Sequence, residues 1–411
     1  MTADVNEMLM AIAMCSIAGA HRYQKMCLQL CNEKFLCARP LLKTCGLPEV
    51  YRTHPMPMPN RALDVISIGL RSELIRDKTF INCRTDVNSR IKYEHAYHKD
   101  LTETVFKSIV LRFTGRLNSF VQYSVNMKKE TMLPTIADTG EFLNFVRSTL
   151  KPNGTSAQTI PRWISEQHAH SIPKETRYFT GFAHFITTIG KTLEKGTIIE
   201  EMIQNAAIGK TNRSIACALL GNLLQHCSQT NDEKRIGFIS HQILSDVEEI
   251  FMDPFGPVEP EYVHAGSGAY QGYKMIRNTV HGKLDLTQAL RLVIKSIHEN
   301  ISEQHLELMG FHRRDGEENR VSNKVNGRPF NATDAEHFLC KLWLVAKYTL
   351  PASTITKQAE ATKPHCHPVL LRRWTVPPDP SVRKIMEDIL QGYERNRADL
   401  EAPSFCLLPN E

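Results

Sequence analysis

The stretch from Asp253 to Asn278, DPFGPVEPEYVHAGSGAYQGYKMIRN, gathers residue types that can bind an anion. Its glycines read GxGxxxG, beginning at Gly266 and ending at Gly272. A dinucleotide-binding loop needs GxGxxG between a strand and a helix. Here the spacing is one residue too long, and no strand pattern precedes it. The glycines therefore do not predict a nucleotide cofactor.

The same stretch places Tyr270 four residues before Lys274, on one face of any helix that forms there. A lysine so placed can lower the pKa of a tyrosine, and some dehydrogenases use such a pair. Those enzymes are built on a parallel sheet, and this chain shows no alternation of strands and helices. The pair therefore does not predict a dehydrogenase.

A third interpretation is a helix start that carries aromatic and basic side chains. Amides at a helix start bind anions, tyrosines stack on bases, and cations neutralise phosphates. This interpretation predicts a nucleic-acid-binding set made of Tyr270, Tyr273, Lys274, Arg277 and Lys283. The alternative is a joint between two halves of the chain, with the tyrosines filling the core.

Two later loops add further basic residues to this predicted set. Arg313 and Arg314 open one long polar loop, and Arg372, Arg373 and Trp374 lie in another. An arginine pair beside an indole can hold a phosphate and stack on a base. The alternative is that Trp374 anchors its loop while both arginines reach into solvent.

Metal and hydrolase signatures are weak. His365, Cys366 and His367 are adjacent, but a structural zinc site needs two further ligands at a finger-like spacing. No GxSxG occurs, and the carboxylates from Asp246 to Asp253 at the end of one helix are interpreted as a solvated acidic face. We therefore predict no metal site, no cofactor and no catalytic residue.

Charge is distributed unevenly along the 411 residues, whose net charge is +6. The range 1–135 has 19 Lys and Arg against 12 Asp and Glu, and 136–265 has 11 against 15. The range 266–411 has 20 against 17. Two basic zones thus flank an acidic middle, a layout that could face a polyanion or could be scatter on a solvated surface.

Cysteine usage and the N-terminal residues favour an intracellular protein. The eleven cysteines are odd in number and form no CxxC pair, which is typical of reduced thiols. The apolar run from Met8 to Ala20 follows acidic residues and is too short to span a bilayer. We therefore predict a cytoplasmic location, or one within a virion, and no membrane partner.

Apolar residues recur at three and four positions over most of the chain, which predicts a mostly α, two-lobed helical protein with a few short strands. A capping box at Thr333–Glu336 marks one helix start. Clusters of proline and glycine, which interrupt helices, predict the boundaries of four parts. These are an N-terminal segment (1–59), an N-terminal lobe (60–252), a joint rich in proline and glycine (253–284) and a C-terminal lobe with a tail (285–411). The predicted helices span about 5–36, 99–114, 139–150, 178–194, 212–228, 233–251 and 285–309, and the predicted strands 79–83 and 117–125.

These features favour a non-catalytic RNA-binding protein that assembles with copies of itself, as a viral nucleoprotein or capsid subunit does. RNA would lie, independently of its sequence, in a basic groove between the two lobes. One alternative is a helical scaffold or adaptor for protein partners. A second is an enzyme with a dispersed active site near residues 264–281. The expectation rests on analogy of architecture, because the chain carries no diagnostic nucleoprotein motif.

Overall fold

The architecture was read from a computed structural model. It describes residues 60–61, 67, 70, 94–114, 120, 123–124, 126–129, 133–149, 179–207, 212–228, 232–251, 253–256, 262–279, 284–303, 306, 309–313, 320–323 and 327–349. Within these ranges lie nine helices and one two-stranded antiparallel sheet. The prediction of a mostly α-helical protein is confirmed.

The chain divides into two compact units, which are considered one at a time. Unit 1 comprises Met1–Asp64 and Ala265–Glu411, and unit 2 comprises Val65–His264. The division after His264 falls inside the range 253–284 that the sequence predicts as a joint. The predicted N-terminal segment, 1–59, lies outside the described residues.

Six helices build the described part of unit 2. They are α1 (Glu94–Thr114), α2 (Thr139–Thr149), α3 (Phe179–Glu194), α4 (Thr197–Ala207), α5 (Asn212–Ser228) and α6 (Glu233–Glu248). Helix α3 contacts α1, α2, α4 and α5 because its apolar residues recur on one face. The Phe113 ring of α1 lies 4.7 Å from the Phe185 ring of α3, in the core of the unit.

Two buried ion pairs join the helices of unit 2. Arg112 donates to the carboxylate of Asp246 at 2.6 and 2.5 Å, and Ser108 donates to the same carboxylate at 3.0 Å. Arg213 lies 2.5 Å from the carboxylate of Glu248. Both carboxylates are buried, so the prediction of a solvated acidic face here is wrong. The chain can bury them because the two arginines come from other helices.

Unit 1 contains three helices and one hairpin in its described part. They are α7 (Ser267–Thr279), α8 (Leu286–Glu299), β1 (Phe311–Arg313), β2 (Val321–Asn323) and α9 (Ala332–Thr349). Helix α7 packs along α9, and α8 contacts both. Phe330 lies 5.4 Å from Phe311 and 5.3 Å from Phe338, so an aromatic cluster joins the hairpin to α9.

Strand prediction was wrong wherever the structure describes the residues. In the predicted strand 117–125, Phe120 and Tyr123 are helical, and both rings pack on Phe142 at 5.7 and 5.3 Å. The observed strands β1 and β2 lie almost entirely within 312–329, which the sequence predicts to be a long polar loop. The aromatic residues of 117–125 indicated burial, and the helical form of that segment followed from its tertiary partners. The predicted helix 5–36 and strand 79–83 lie outside the described residues.

Two helix ends also differ from the prediction. Helix α8 ends at Glu299 with Asn300 as its C-cap, ten residues before the predicted end at 309. Helix α9 begins at Ala332, and Asn331 Oδ1 accepts the amide of Thr333 at 2.9 Å. The predicted capping box is not formed, because Thr333 lies inside the helix and Asn331 takes the N-cap role. Glu336 accepts a hydrogen bond from the Gly266 amide.

Candidate nucleic-acid interface

Helix α7 carries most of the described residues that the sequence predicts for nucleic-acid binding. At 3.6 residues per turn, Ser267, Tyr270, Lys274 and Arg277 fall on one side of the helix. The opposite side, with Ala269, Gly272, Tyr273 and Ile276, is buried. We call the first set the α7 stripe, and its members range from partly to largely exposed.

Close packing on α9 explains two of the three glycines of the GxGxxxG pattern, Gly268 and Gly272. A Cβ atom added to Gly272 would lie 1.9 Å from the carbonyl oxygen of Leu339, and one added to Gly268 would lie 2.7 Å from the Cys340 sulfur. The two glycines are four residues apart and therefore face the same neighbour. They allow two helix backbones to approach, and this role is structural.

The N-terminus of α7 is already matched by a protein carboxylate. The Gly266 amide, one residue before the helix, donates to Glu336 Oε1 at 3.2 Å, and Glu336 is buried. A negative charge at this end is favourable because of the helix dipole. The carboxylate of Glu336, from within unit 1, thus takes the place of the anion expected at the helix start.

The ring of Tyr270 lies at the centre of the α7 stripe. It is 47% exposed and is the one large hydrophobic side chain classed as exposed among the described residues. The ammonium of Lys274 lies over this ring, 5.1 Å from its centroid, which is a cation–π contact. Arg277 is exposed on the next turn. The stripe therefore offers an aromatic face beside two cations.

Tyr273 supports the stripe from the buried side. Its hydroxyl donates to the carbonyl of Leu284 at 2.8 Å, and its side chain is buried. The ring centroid lies 5.5 Å from that of Tyr270, at an interplanar angle of 45°. The structure thus places this predicted contact residue in the core of unit 1, where it braces Tyr270.

The remaining predicted residues are placed less favourably or lie outside the described ranges. Arg313 donates to the Glu303 carboxylate at 3.0 Å and to the Ile301 carbonyl at 2.6 Å, so its guanidinium anchors β1. The predicted residues outside the described ranges are Lys283, Arg314, Arg372, Arg373 and Trp374. For those five, a role in nucleic-acid binding stays a prediction.

Known proteins supply no template for the α7 stripe. No protein-family model, curated protein or solved structure matches this chain. What the stripe can bind therefore follows from its own side chains: an aromatic face for a flat ring and two cations for negative charge.

Neither a metal-binding cluster nor a membrane-spanning helix occurs in the part of the chain that the structure describes. Among the side chains that the structure describes, no group of three or more His, Cys, Asp and Glu could hold a metal ion. Residues 365–367, the one dense His and Cys cluster in the sequence, lie outside the described ranges. No helix in the described part of the chain is both long enough and apolar enough to cross a bilayer.

Unit 2 contains a polar cluster that the sequence did not reveal. The hydroxyl of Tyr262 lies 3.0 Å from Nε2 of His264, and the ring of His241 lies 6.4 Å from each of those two rings. Cys217 and the buried Arg213 extend the cluster on α5. These residues come from three separate segments, so no local motif could have signalled them.

The thiol in this cluster does not have the character of a nucleophile. Burial raises the pKa of Cys217, and contacts with Tyr262 and Arg213 oppose that effect only in part. A catalytic cysteine needs a lowered pKa, because the thiolate is the reactive form. The cluster therefore serves packing more readily than covalent catalysis.

We expect His264 to make unit 2 less stable as the pH falls below about 6.5. Burial, followed by the positive charge of Arg213, lowers the pKa of His264 from its ordinary value of 6.5. His264 therefore takes up a proton at a higher pH in the unfolded chain than in the folded chain. The stability that neutral His264 contributes is complete only above the pKa of the unfolded state, and it is lost as the pH falls toward the pKa of the folded state. Urea unfolding of the protein between pH 5 and pH 8 should show this dependence.

The variant His264→Gln should flatten that dependence, because glutamine does not titrate. His184 is exposed on α3, and His184→Gln is the matched control that should leave the dependence unchanged. Equal pH dependences for the wild type and His264→Gln would show that this histidine does not couple protonation to folding.

Proposed function

We propose that this protein is a non-catalytic RNA-binding protein that assembles with copies of itself, and that the α7 stripe is one of its contacts with RNA. The observation that carries the proposal is the grouping of Tyr270, Lys274 and Arg277 on one accessible side of α7. Nucleoproteins and capsid subunits are the concrete class. A cytoplasmic or virion location belongs to the same proposal.

The chemistry of the stripe supports RNA over an apolar protein partner. Two cations, Lys274 and Arg277, follow a single aromatic ring along the helix, and phosphates supply one negative charge per nucleotide. Binding that uses phosphates and ring faces is tolerant of base sequence. This fits the expectation of sequence-independent recognition.

The enzyme alternative has less support from the groups near residue 264. The thiol of Cys217 has a raised pKa, and Gly268 and Gly272 of the GxGxxxG pattern are packing residues. Both groups would need the opposite properties to act on a substrate, namely a thiolate and open backbone amides.

A first test is the absorbance ratio at 260 and 280 nm of full-length protein purified in low salt, with and without nuclease. We expect a high ratio that nuclease removes, because a phosphate-binding protein retains cellular RNA when salt is low. Protein that carries no nucleic acid and does not bind added RNA at low salt would overturn the proposal.

Charge reversal tests whether the α7 stripe is the contact. The double variant Lys274→Glu and Arg277→Glu should weaken RNA binding at least about tenfold in moderate salt, because it replaces two attractions to phosphate with two repulsions. The matched control is Lys191→Glu with Lys195→Glu, which makes the same charge change at exposed positions of unit 2. Equal losses in both variants would indicate net charge, and no loss in the α7 variant would place the contact elsewhere.

A further inference from the structure

We infer that the α7 stripe selects unpaired nucleotides, with one base stacked on Tyr270 and the adjoining phosphates held by Lys274 and Arg277. The inference rests on the proposed function and adds the form of the ligand: a single strand, and not a duplex. Three features of α7 carry it, namely the exposed ring, the spacing of the cations and the rigidity of the helix.

The ring of Tyr270 is oriented before any ligand arrives. Lys274 Nζ lies over it at 5.1 Å, and the tilted ring of Tyr273 contacts it from the buried side. Because two neighbours already hold the ring, stacking a base on it costs less side-chain conformational entropy, and more of the stacking free energy remains for binding. Nearly half of the Tyr270 side chain remains exposed, and a flat aromatic surface is the partner that suits it.

Bases offer such a surface only when they are unpaired. Within a duplex each base is stacked on its neighbours, so a protein side chain cannot reach its face without unstacking it. Bases in a single strand can splay apart and stack on tyrosine. An exposed Tyr270 therefore favours single strands, whereas the two cations alone would bind either form.

The spacing along the helix fits a strand that runs parallel to α7. With a rise of about 1.5 Å per residue, Lys274 lies about 6 Å along the axis from Tyr270, and Arg277 lies about 4.5 Å further. Successive phosphates of one strand in a helical nucleic acid advance about 3.4 Å along the helix axis. The spacing of the two cations along α7 differs from that of the phosphates by a distance that the long, flexible lysine and arginine side chains can span. The stripe therefore accommodates two neighbouring phosphates beside one stacked base.

The helix that presents these groups is firmly seated. Gly272 brings the α7 backbone into contact with the α9 carbonyl of Leu339, and the Tyr273 hydroxyl is bonded to Leu284. Groups on a packed helix keep their relative positions better than groups on a loop. The three side chains therefore act as one preformed contact.

The test compares binding of the full-length protein to a short fluorescent RNA, either as a single strand or annealed to its complement. We expect the single strand to bind more tightly. Tyr270→Leu should weaken single-strand binding by about 5- to 150-fold, the factor that corresponds to one stacked base. Tyr270→Phe keeps the ring and should bind as the wild type does.

Salt dependence separates stacking from charge. The double variant Lys274→Gln and Arg277→Gln should reduce the slope of log affinity against log salt by about 1.4, since each phosphate contact contributes about 0.7 for a single strand. Tyr270→Leu should leave that slope unchanged, because a stacked base releases no counterion.

The possible outcomes distinguish this inference from the proposed function. If duplex and single strand bind equally, or if Tyr270→Leu binds as the wild type does, the selection of unpaired bases is wrong while RNA binding stands. If neither form binds at low salt, the proposed function itself falls. Circular dichroism of Tyr270→Leu should match that of the wild type, because the substituted side chain is exposed.

Discussion

Replacing Gly272 with alanine should lower the free energy of unfolding of unit 1 by at least about 3 kcal/mol. The added methyl group would lie 1.9 Å from the carbonyl oxygen of Leu339, which belongs to the backbone of α9. A backbone atom cannot rotate away as a side chain can, so the two helices must separate along their length. Urea unfolding, with hydrogen exchange of the α7 and α9 amides to localise the change, measures the effect.

The same substitution at two further glycines provides stability changes against which the cost of Gly272→Ala can be compared. Gly268→Ala should cost less, because its methyl group meets the Cys340 sulfur at 2.7 Å and that side chain can shift. Gly140→Ala, near the start of α2, meets nothing within 4 Å and should be neutral or stabilise by up to about 1 kcal/mol. A cost for Gly272→Ala no larger than that for Gly268→Ala would show that the contact between α7 and α9 is looser than described.

Removal of the Asp246 carboxylate should lower the free energy of unfolding of unit 2 by about 3–5 kcal/mol. This carboxylate accepts two hydrogen bonds from Arg112 and one from Ser108, and all three side chains are buried. The variant Asp246→Ala leaves a buried guanidinium without this counter-charge. Urea unfolding, with hydrogen exchange of α1 and α6, measures the loss.

A compensating variant tests the cause of that loss. The double change Arg112→Met with Asp246→Leu removes both charges and should recover most of the stability, because apolar residues of similar size can replace a buried ion pair. Glu201→Ala, at an exposed position of α4, is the control and should change stability by less than about 0.5 kcal/mol. A double variant as unstable as Asp246→Ala would assign the loss to packing.

Helix positions followed closely from the sequence wherever the apolar residues recur locally. The predicted helices 178–194 and 212–228 correspond to α3, Phe179–Glu194, and α5, Asn212–Ser228. Both helices were predictable because their apolar residues recur at three and four positions and so specify one buried face from the local sequence alone. The end of α8 was missed by ten residues, because the chain turns away at Asn300 although apolar residues continue to Met309.

The candidate site was predictable in its residue types and only partly in its geometry. The spacing of Tyr270, Lys274 and Arg277 places them on one side of any helix, and the structure has a helix there. The sequence could not show that Tyr273 turns inward or that Arg313 pairs with Glu303. Both facts depend on groups ten or more residues away.

The sequence alone determines the mostly helical architecture and the aromatic and basic side of α7, because helical periodicity depends only on residues close together in the chain. Which side of each helix is covered depends on partners distant in sequence. Contact with α9 assigned Gly268 and Gly272 to packing and left the α7 stripe accessible. Contact between α1 and α6 likewise buried Asp246, since an arginine 134 positions away supplies the charge that makes burial tolerable.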